Sequence, residues 1–422
     1  MIPIPAPVEY RGTTMKNVLM ISPIVPDHSG TGLHKRGAAH LNALARNCRV
    51  HLIIFADPPS MKEPLLESLR TLCQTVVLVP VTQIHNPLWK KINIPLFAVI
   101  SEIIRPTIQY TRPSGAQIRQ GITGLDRTDF DAVFCFSMVS TLIFDRMKQF
   151  ISITAKRKIV DFNDIESISL GRALEYNQHG FEIGLIQKIT ALRYKRIENR
   201  LLRTYDDVLV CSDLDKNILQ KKALPATVHT LPNSVSLQPV MPPMPERDTL
   251  HILFVGLIAY GPNRDGILWF CRDILPLIRK QAKTRCRVSI VGPYPPAEVQ
   301  ALAEIEDVVV TGYVESVKPY YDDCDLVIAP IRFGGGTRIK ILEAMSFQKP
   351  VVATTIGAEG IDIEDGRNIM IGDSLESFAG ACVALLESAS RRHAMGQEGR
   401  KCIEEKYSAE VVAGRLNQIL RA

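Results

Sequence analysis

Short apolar runs recur along the whole chain, and between most of them the apolar positions fall three or four residues apart. In the first half, residues 17–22, 50–55, 76–79, 130–136, 158–162 and 206–211 read as buried strands. In the second half, residues 251–256, 287–291, 308–310 and 325–329 do the same, and Pro350 opens another apolar run. The runs are continuous, not alternating, as expected of parallel strands covered on both faces. Helical spacing appears at Ala38, Leu41, Leu44 and Ala45, over 61–73 and 181–203, after Ser212, and over 378–422. Residues 356–360 and 368–372 are expected to finish the second sheet. Strands alternating with helices, twice over, predict an α/β chain with two parallel sheets.

The pattern breaks at 236–249, SLQPVMPPMPERDT, which is proline-rich and has no periodicity. The expected organisation is therefore a loose N-terminal extension over 1–14, a first domain over 15–235, a linker over 236–249 and a second domain over 250–405. Residues 85–128 resist a single reading. Their mixture of aromatic, aliphatic and basic residues suits an interfacial membrane segment, helices covering the first domain, or a solvated basic face.

One stretch carries the most chemistry. Residues 328–352 read IAPIRFGGGTRIKILEAMSFQKPVV: strand, glycine turn, helix over 337–347, strand. Glycines before a helix N-terminus leave backbone N–H groups open to an anion, at the positive end of the helix dipole. Arg338 and Lys340 in the first turn oppose that dipole, which a bound phosphate would explain. Glu343, one turn on, lies within reach of ribose hydroxyls. The plain alternative is a crossover turn with Lys340 and Glu343 as a surface pair. The spacing of a Walker loop is absent.

This stretch resembles the donor-site signature of retaining GT-B glycosyltransferases of the large group 1 family, in the branch carrying GGGTR-[ILV]-K-[ILV]-LEAM. The resemblance extends over the C-terminal half. It implies two Rossmann-like domains facing across a cleft, with the last helix, 406–422, crossing back to the first domain. It implies a nucleotide-diphosphate sugar, UDP- or GDP-linked, held by Gly256, Asn263, Arg264, Tyr313, Val314, Arg332, Gly334, Gly335, Gly336, Thr337, Arg338, Lys340 and Glu343. Gly30, Gly32 and Arg36, in the loop after the first strand, match the part of the family that meets the acceptor; an ordinary turn is the plain reading. Asp164, in the run Asp161-Phe-Asn-Asp164-Ile-Glu166-Ser, would orient an acceptor hydroxyl or cap a helix. Catalysis would rest on Arg338, Lys340 and Asp164, with retention of anomeric configuration.

Three departures stand out. Leu257 replaces the arginine that the wider family has after Gly256. Gly335 stands where the first Glu of a Glu-x7-Glu motif would be, eight before Glu343. Phe136-Ser137-Met138 occupies the place of a cleft histidine.

Composition narrows the partners. At 422 residues, 46% hydrophobic and 22% charged, the chain is an ordered multidomain protein. Residues 1–235 carry 29 Lys+Arg against 20 Asp+Glu, a net of +9; the rest carries 21 against 24, a net of −3. A basic first half suggests an anionic partner, and the helix over 181–203 concentrates it in Lys188, Arg193, Lys195, Arg196, Arg200 and Arg203. Either an anionic membrane surface or plain solvation accounts for that helix. No run is long and apolar enough for a membrane span, and no secretory leader is visible. The nine cysteines are scattered without metal-ligand spacing and read as reduced core residues of a cytoplasmic protein. Asp213-x-Asp215 and Asp323-x-Asp325 imitate a metal-binding pair but sit where helix caps belong. No cofactor and no metal are expected. A basic patch interleaved with aromatics is missing, which speaks against nucleic acid. The expected function is sugar transfer to a glycan, a lipid-linked glycan or a similar acceptor, at or near the cytoplasmic membrane face. A sugar-nucleotide epimerase and an inactive sugar-nucleotide binding protein are the alternatives.

Overall fold

The computed structural model describes residues 15–28, 30–61, 63–81, 113–176, 181–240 and 247–421. The 1–14 extension, residues 82–112, which take in the first part of the 85–128 stretch, and residues 241–246 of the linker lie outside them. The chain divides into two units, Met1–Leu231 with Ala413–Ala422, and Pro232–Val412.

The first unit contains seven strands: β1 (Lys16–Ser22), β2 (Cys48–Ala56), β3 (Thr75–Pro80), β4 (Asp129–Phe136), β5 (Thr154–Asp161), β6 (Asp207–Val210) and β7 (Thr227–Thr230). They pair in parallel in the order β3-β2-β1-β4-β5-β6-β7. Val18 to Ile21 and Val133 to Phe136 are fully buried, which is why these strands read as unbroken apolar runs. The order reverses between β1 and β4, so the crevice of this sheet opens beyond their carboxyl ends. Lys16 Nζ donates to the Leu420 carbonyl at 2.7 Å, and Arg157 Nη1 to that of Ile419 at 2.6 Å. These bonds tie helix Ala409–Arg421 to the amino ends of β1 and β5.

The second unit repeats the plan with β8 (Thr249–Val255), β9 (Arg285–Val291), β10 (Val308–Gly312), β11 (Leu326–Ala329), β12 (Val351–Ala353) and β13 (Met370–Ile371), in the order β10-β9-β8-β11-β12-β13. Alternate residues feed opposite faces, as a strand's two-residue period requires. Ile252, Phe254, Leu326 and Ile328 enter one apolar cluster. Leu253, Val255, Val327 and Ala329 enter the other. Here the reversal falls between β8 and β11, whose register pairs Leu326 with Ile252 and Val327 with Leu253. Residues 356–360 are a run of turns and no strand; the sheet ends on β12 and β13. Gly357 explains the turn, because a side chain there would meet the Ala329 carbonyl 2.5 Å away.

Helices Gly115–Thr123, Met138–Met147 and Glu166–Tyr176 escape the periodicity reading. Met138–Met147 is buried nearly all round, which erases the polar face a pattern needs. All nine cysteines are free and eight are buried. The Asp-x-Asp pairs are structural. Ser212 caps its helix and bonds Asp215, and Asp323 pairs with Arg247, His251 and Arg287.

Candidate functional site

The switch between β8 and β11 places two loops side by side: Gly256 onward, and the Pro330–Arg338 stretch with its three glycines. Gly334 and Gly336 have φ of 103° and 74°, a region where a side chain is strained. They turn the chain sharply after β11 and lead into helix Ile339–Ser346. The helix therefore begins later than its sequence pattern suggests. Arg338 is its N-cap, with extended backbone, and Thr337 precedes it.

Lys340 is the centre of the site. It stands in the first turn yet is buried, so it is no member of a surface pair with Glu343. Its Nζ donates to Asn263 Oδ1 at 2.7 Å and lies 4.0 Å from the centre of the Phe254 ring. Among the described residues no carboxylate forms an ion pair with it. Burial, then the neighbouring Arg338, pushes its pKa down to about 7 against the opposing pull of Glu343. A buried ammonium held this way costs stability, and an incoming anion would remove that cost.

Asn263 sits in the first turn of helix Gly261–Trp269. Its Nδ2 donates to the Leu257 carbonyl at 2.9 Å, which fixes the amide with its oxygen toward Lys340. Gly256 completes the trio. A side chain there would stand 2.8 Å from Asn263 Nδ2 and 2.9 Å from Lys340 Nζ, so only glycine leaves that approach open.

The other expected residues are placed differently. Arg338 folds back on its own loop, donating through Nη1 to the Gly335 carbonyl and, at 2.8 Å, to that of Gly336. It braces the turn. Arg332 forms a bidentate pair with Asp265, at 3.0 and 2.8 Å, above the Trp269 ring. Arg264 is exposed and pairs with Glu298 at 3.3 Å; its neighbour Asn263 is the one that meets Lys340. Thr337 is buried, and its carbonyl accepts from Asn233 at 3.4 Å. Tyr313, 74% exposed, and Val314, half-buried, follow β10 at the edge of the sheet. Glu343 is half-buried and accepts from the Tyr321 hydroxyl at 3.3 Å.

In the first unit the loop after β1 leads into helix Gly32–Ala45. Gly30 lies against His34, and Gly32 is the first helical residue. Arg36 is turned inward and buried. Its guanidinium holds Asp161, at the end of β5, through bonds of 2.7 and 2.8 Å. Burial works against that charge and Asp161 more than offsets it. His40, one turn further, reaches the same carboxylate at 3.1 Å. Burial pushes its pKa down to about 3, so the ring is neutral and Nε2 carries the donated proton. Arg36, expected from the resemblance in the acceptor loop, is here a buried anchor for Asp161. Asp164 accepts from Ser169 Oγ at 2.5 Å, in front of helix Glu166–Tyr176. Two carboxylates beside it were not singled out by sequence. Glu166 is pushed up to about 7 by burial and then by Asp164 and Glu198. Glu198, fully buried, accepts from the backbone and hydroxyl of Ser167. Its burial on a basic helix gives no signal in the pattern.

Among the described residues no cluster of His, Cys, Asp or Glu has the makings of a metal site, and no helix is long and apolar enough to cross a membrane. Residues 249–388 match the model of the family described as glycosyl transferases group 1. The chain is 25% identical over 186 residues to an uncharacterized 44.6 kDa protein in the cps region of Klebsiella pneumoniae, covering 41% of this chain and 48% of that protein. It is 30% identical over 105 residues to a GDP-mannose-dependent monoacylated alpha-(1-6)-phosphatidylinositol monomannoside mannosyltransferase of Corynebacterium glutamicum, covering 23% and 28%. The matches thus span about half, or less, of these relatives' lengths. Among solved structures, TarM of S. aureus, crystallised with UDP, is similar at a TM-score of 0.65 and 12% identity, covering 97% of this chain and 100% of that one. Sucrose-phosphate synthase from Thermosynechococcus elongatus is similar at 0.63 and 15% identity, covering 96% and 98%. HepE of Anabaena, in complex with UDP and glucose, is similar at 0.59 and 12% identity, covering 97% and 100%.

Proposed function

We propose that this chain, whose residues 249–388 match the group 1 glycosyltransferase model and whose two sheets resemble GT-B structures, moves a sugar from a UDP- or GDP-linked donor to a glycan or lipid-linked acceptor. The observation that carries the reading is Lys340, a buried cation paired with an amide and a ring instead of a carboxylate, beside a glycine-lined approach. The diphosphate lies against Lys340 and the backbone N–H groups of the Gly334–Thr337 turn, and Glu343 meets the ribose. As the glycosidic C–O bond breaks, negative charge grows on the β-phosphate oxygen. A protonated Lys340 stabilises that charge more than it stabilises the ground state. It supplies locally the positive charge that other transferases take from a divalent ion, so transfer proceeds without metal and, by the family resemblance, with retention. The acceptor falls to the loops of the first unit, near Gly30, Gly32 and Asp164.

The test is calorimetry of UDP, GDP and their sugars, with and without EDTA. One diphosphate is expected to bind at micromolar Kd, unchanged by EDTA, and its sugar to be turned over with an acceptor. Binding that vanishes in EDTA sinks the metal-free reading. Silence from every nucleotide sinks donor binding altogether.

A cytoplasmic, peripheral membrane position is part of the proposal. Helix Phe181–Thr204 exposes Leu185 and Leu192, at 37% and 59%, in line with exposed Lys188, Lys195, Arg196, Arg200 and Arg203. Leucines among cations on one face suit an anionic lipid surface. The protein should sediment with vesicles containing phosphatidylglycerol at low salt, and several-fold less in a Leu192→Glu, Lys195→Glu variant. Equal sedimentation with neutral vesicles rules this surface out.

A further inference from the structure

Tyr321 is fully buried in helix Lys318–Asp323 of the second unit, among the apolar residues that support helix Ile339–Ser346. Its ring stacks on Phe347 with centres 4.8 Å apart and planes 12° apart. A phenylalanine would satisfy that packing. The hydroxyl needs its own reason, because a buried polar group without a partner is costly. It has two acceptors, both on helix Ile339–Ser346: the Lys340 carbonyl at 3.4 Å and Glu343 Oε2 at 3.3 Å. One O–H shared between them ties the backbone of the phosphate-binding residue to the carboxylate one turn later. Burial, and next the Glu343 charge, raise the phenol well above its ordinary pKa, so it remains a donor at every working pH.

We propose that Tyr321 is a positioning residue for nucleotide selection: its hydroxyl holds the Glu343 carboxylate toward the ribose hydroxyls of the bound nucleoside diphosphate. This rests on the reading of the Lys340 helix as the donor site. Tyr321 touches no substrate. Its effect passes through Glu343, whose carboxylate without this donor would be held less firmly toward the ribose.

The experiment compares Tyr321→Phe with the unaltered protein in binding UDP and GDP, and the 2′,3′-dideoxy analogue of whichever binds. The ribonucleotide is expected to lose about tenfold in affinity, on the scale of one hydrogen bond to a charged group. The dideoxy analogue should bind both proteins equally. Equal losses for the two ligands would mean general loosening of the site, and no loss would mean that the hydroxyl is idle; either overturns the inference. Lys340→Ala is run alongside. If it still binds the diphosphate at full strength, the donor-site reading itself fails. If it loses binding while Tyr321→Phe is unaffected, only the role of Tyr321 is lost. Thermal melting of Tyr321→Phe guards against a folding defect.

Discussion

Lys340→Met is expected to lower nucleoside-diphosphate affinity by about 10²-fold or more and, in the same protein, to raise the melting temperature. The first effect follows from removing a charge-assisted contact in a dry site. The second follows from the state of the lysine in the free protein. Its folded pKa of about 7 lies below the unfolded value near 10.5, so between those pH values the unfolded chain holds the extra proton and stability rises with pH. Methionine has similar length and no charge to bury, so the burden disappears at every pH. Donor affinity carries the opposite sign. Binding the anion calls for the protonated lysine, so affinity is full below about 7 and declines as the pH rises past it, with net proton uptake during binding. Calorimetry in buffers of different ionisation enthalpy reads that uptake directly. A methionine variant that binds UDP or GDP normally, or that melts at a lower temperature, would remove Lys340 from its assigned place.

Asp161→Ala should destabilise the first unit by about 3–5 kcal/mol, because it strands a buried guanidinium. In urea the transition of that unit should move down by roughly 1–2 M for a domain of this size. The double variant Asp161→Leu, Arg36→Met should recover most of the loss, since neither partner is then left charged in the core. Donor binding, which the proposed function assigns to the second unit, should be unaffected in both. The experiment also decides between two roles for Arg36. A near-normal urea midpoint together with a raised KM for acceptor would return Arg36 to acceptor contact and dismiss the anchor.

The sheets were legible because both of their faces are buried, so strands such as β1, β4, β8 and β11 are written as plain apolar runs. The run 368–372 does close the second sheet, through Met370–Ile371, whereas 356–360 is turns; runs this short leave too little pattern to tell strand from turn. Gly256, Asn263 and Lys340, far apart in sequence, could be grouped by resemblance, and the fold does bring them within bonding distance. Direction was the harder matter. Sequence shows that Arg36, Arg332 and Arg338 are cations, but not that each is already engaged by Asp161, by Asp265 or by its own loop carbonyls. Tyr321 was invisible for the same reason, as nothing in Pro319-Tyr320-Tyr321 says which ring is stacked and tethered.

The first unit is made of two pieces of chain with the whole second unit threaded between them. During synthesis, at about 5–20 residues per second, residues 1–231 emerge on the order of ten seconds or more before 413–422 do. Until then the amino ends of β1 and β5 lack the carbonyls of Leu420 and Ile419. The second unit, contiguous in sequence, has no such wait. For most of that interval newborn copies should therefore carry a first unit that still lacks its closing segment while the second unit is itself being made, and the two are completed almost together.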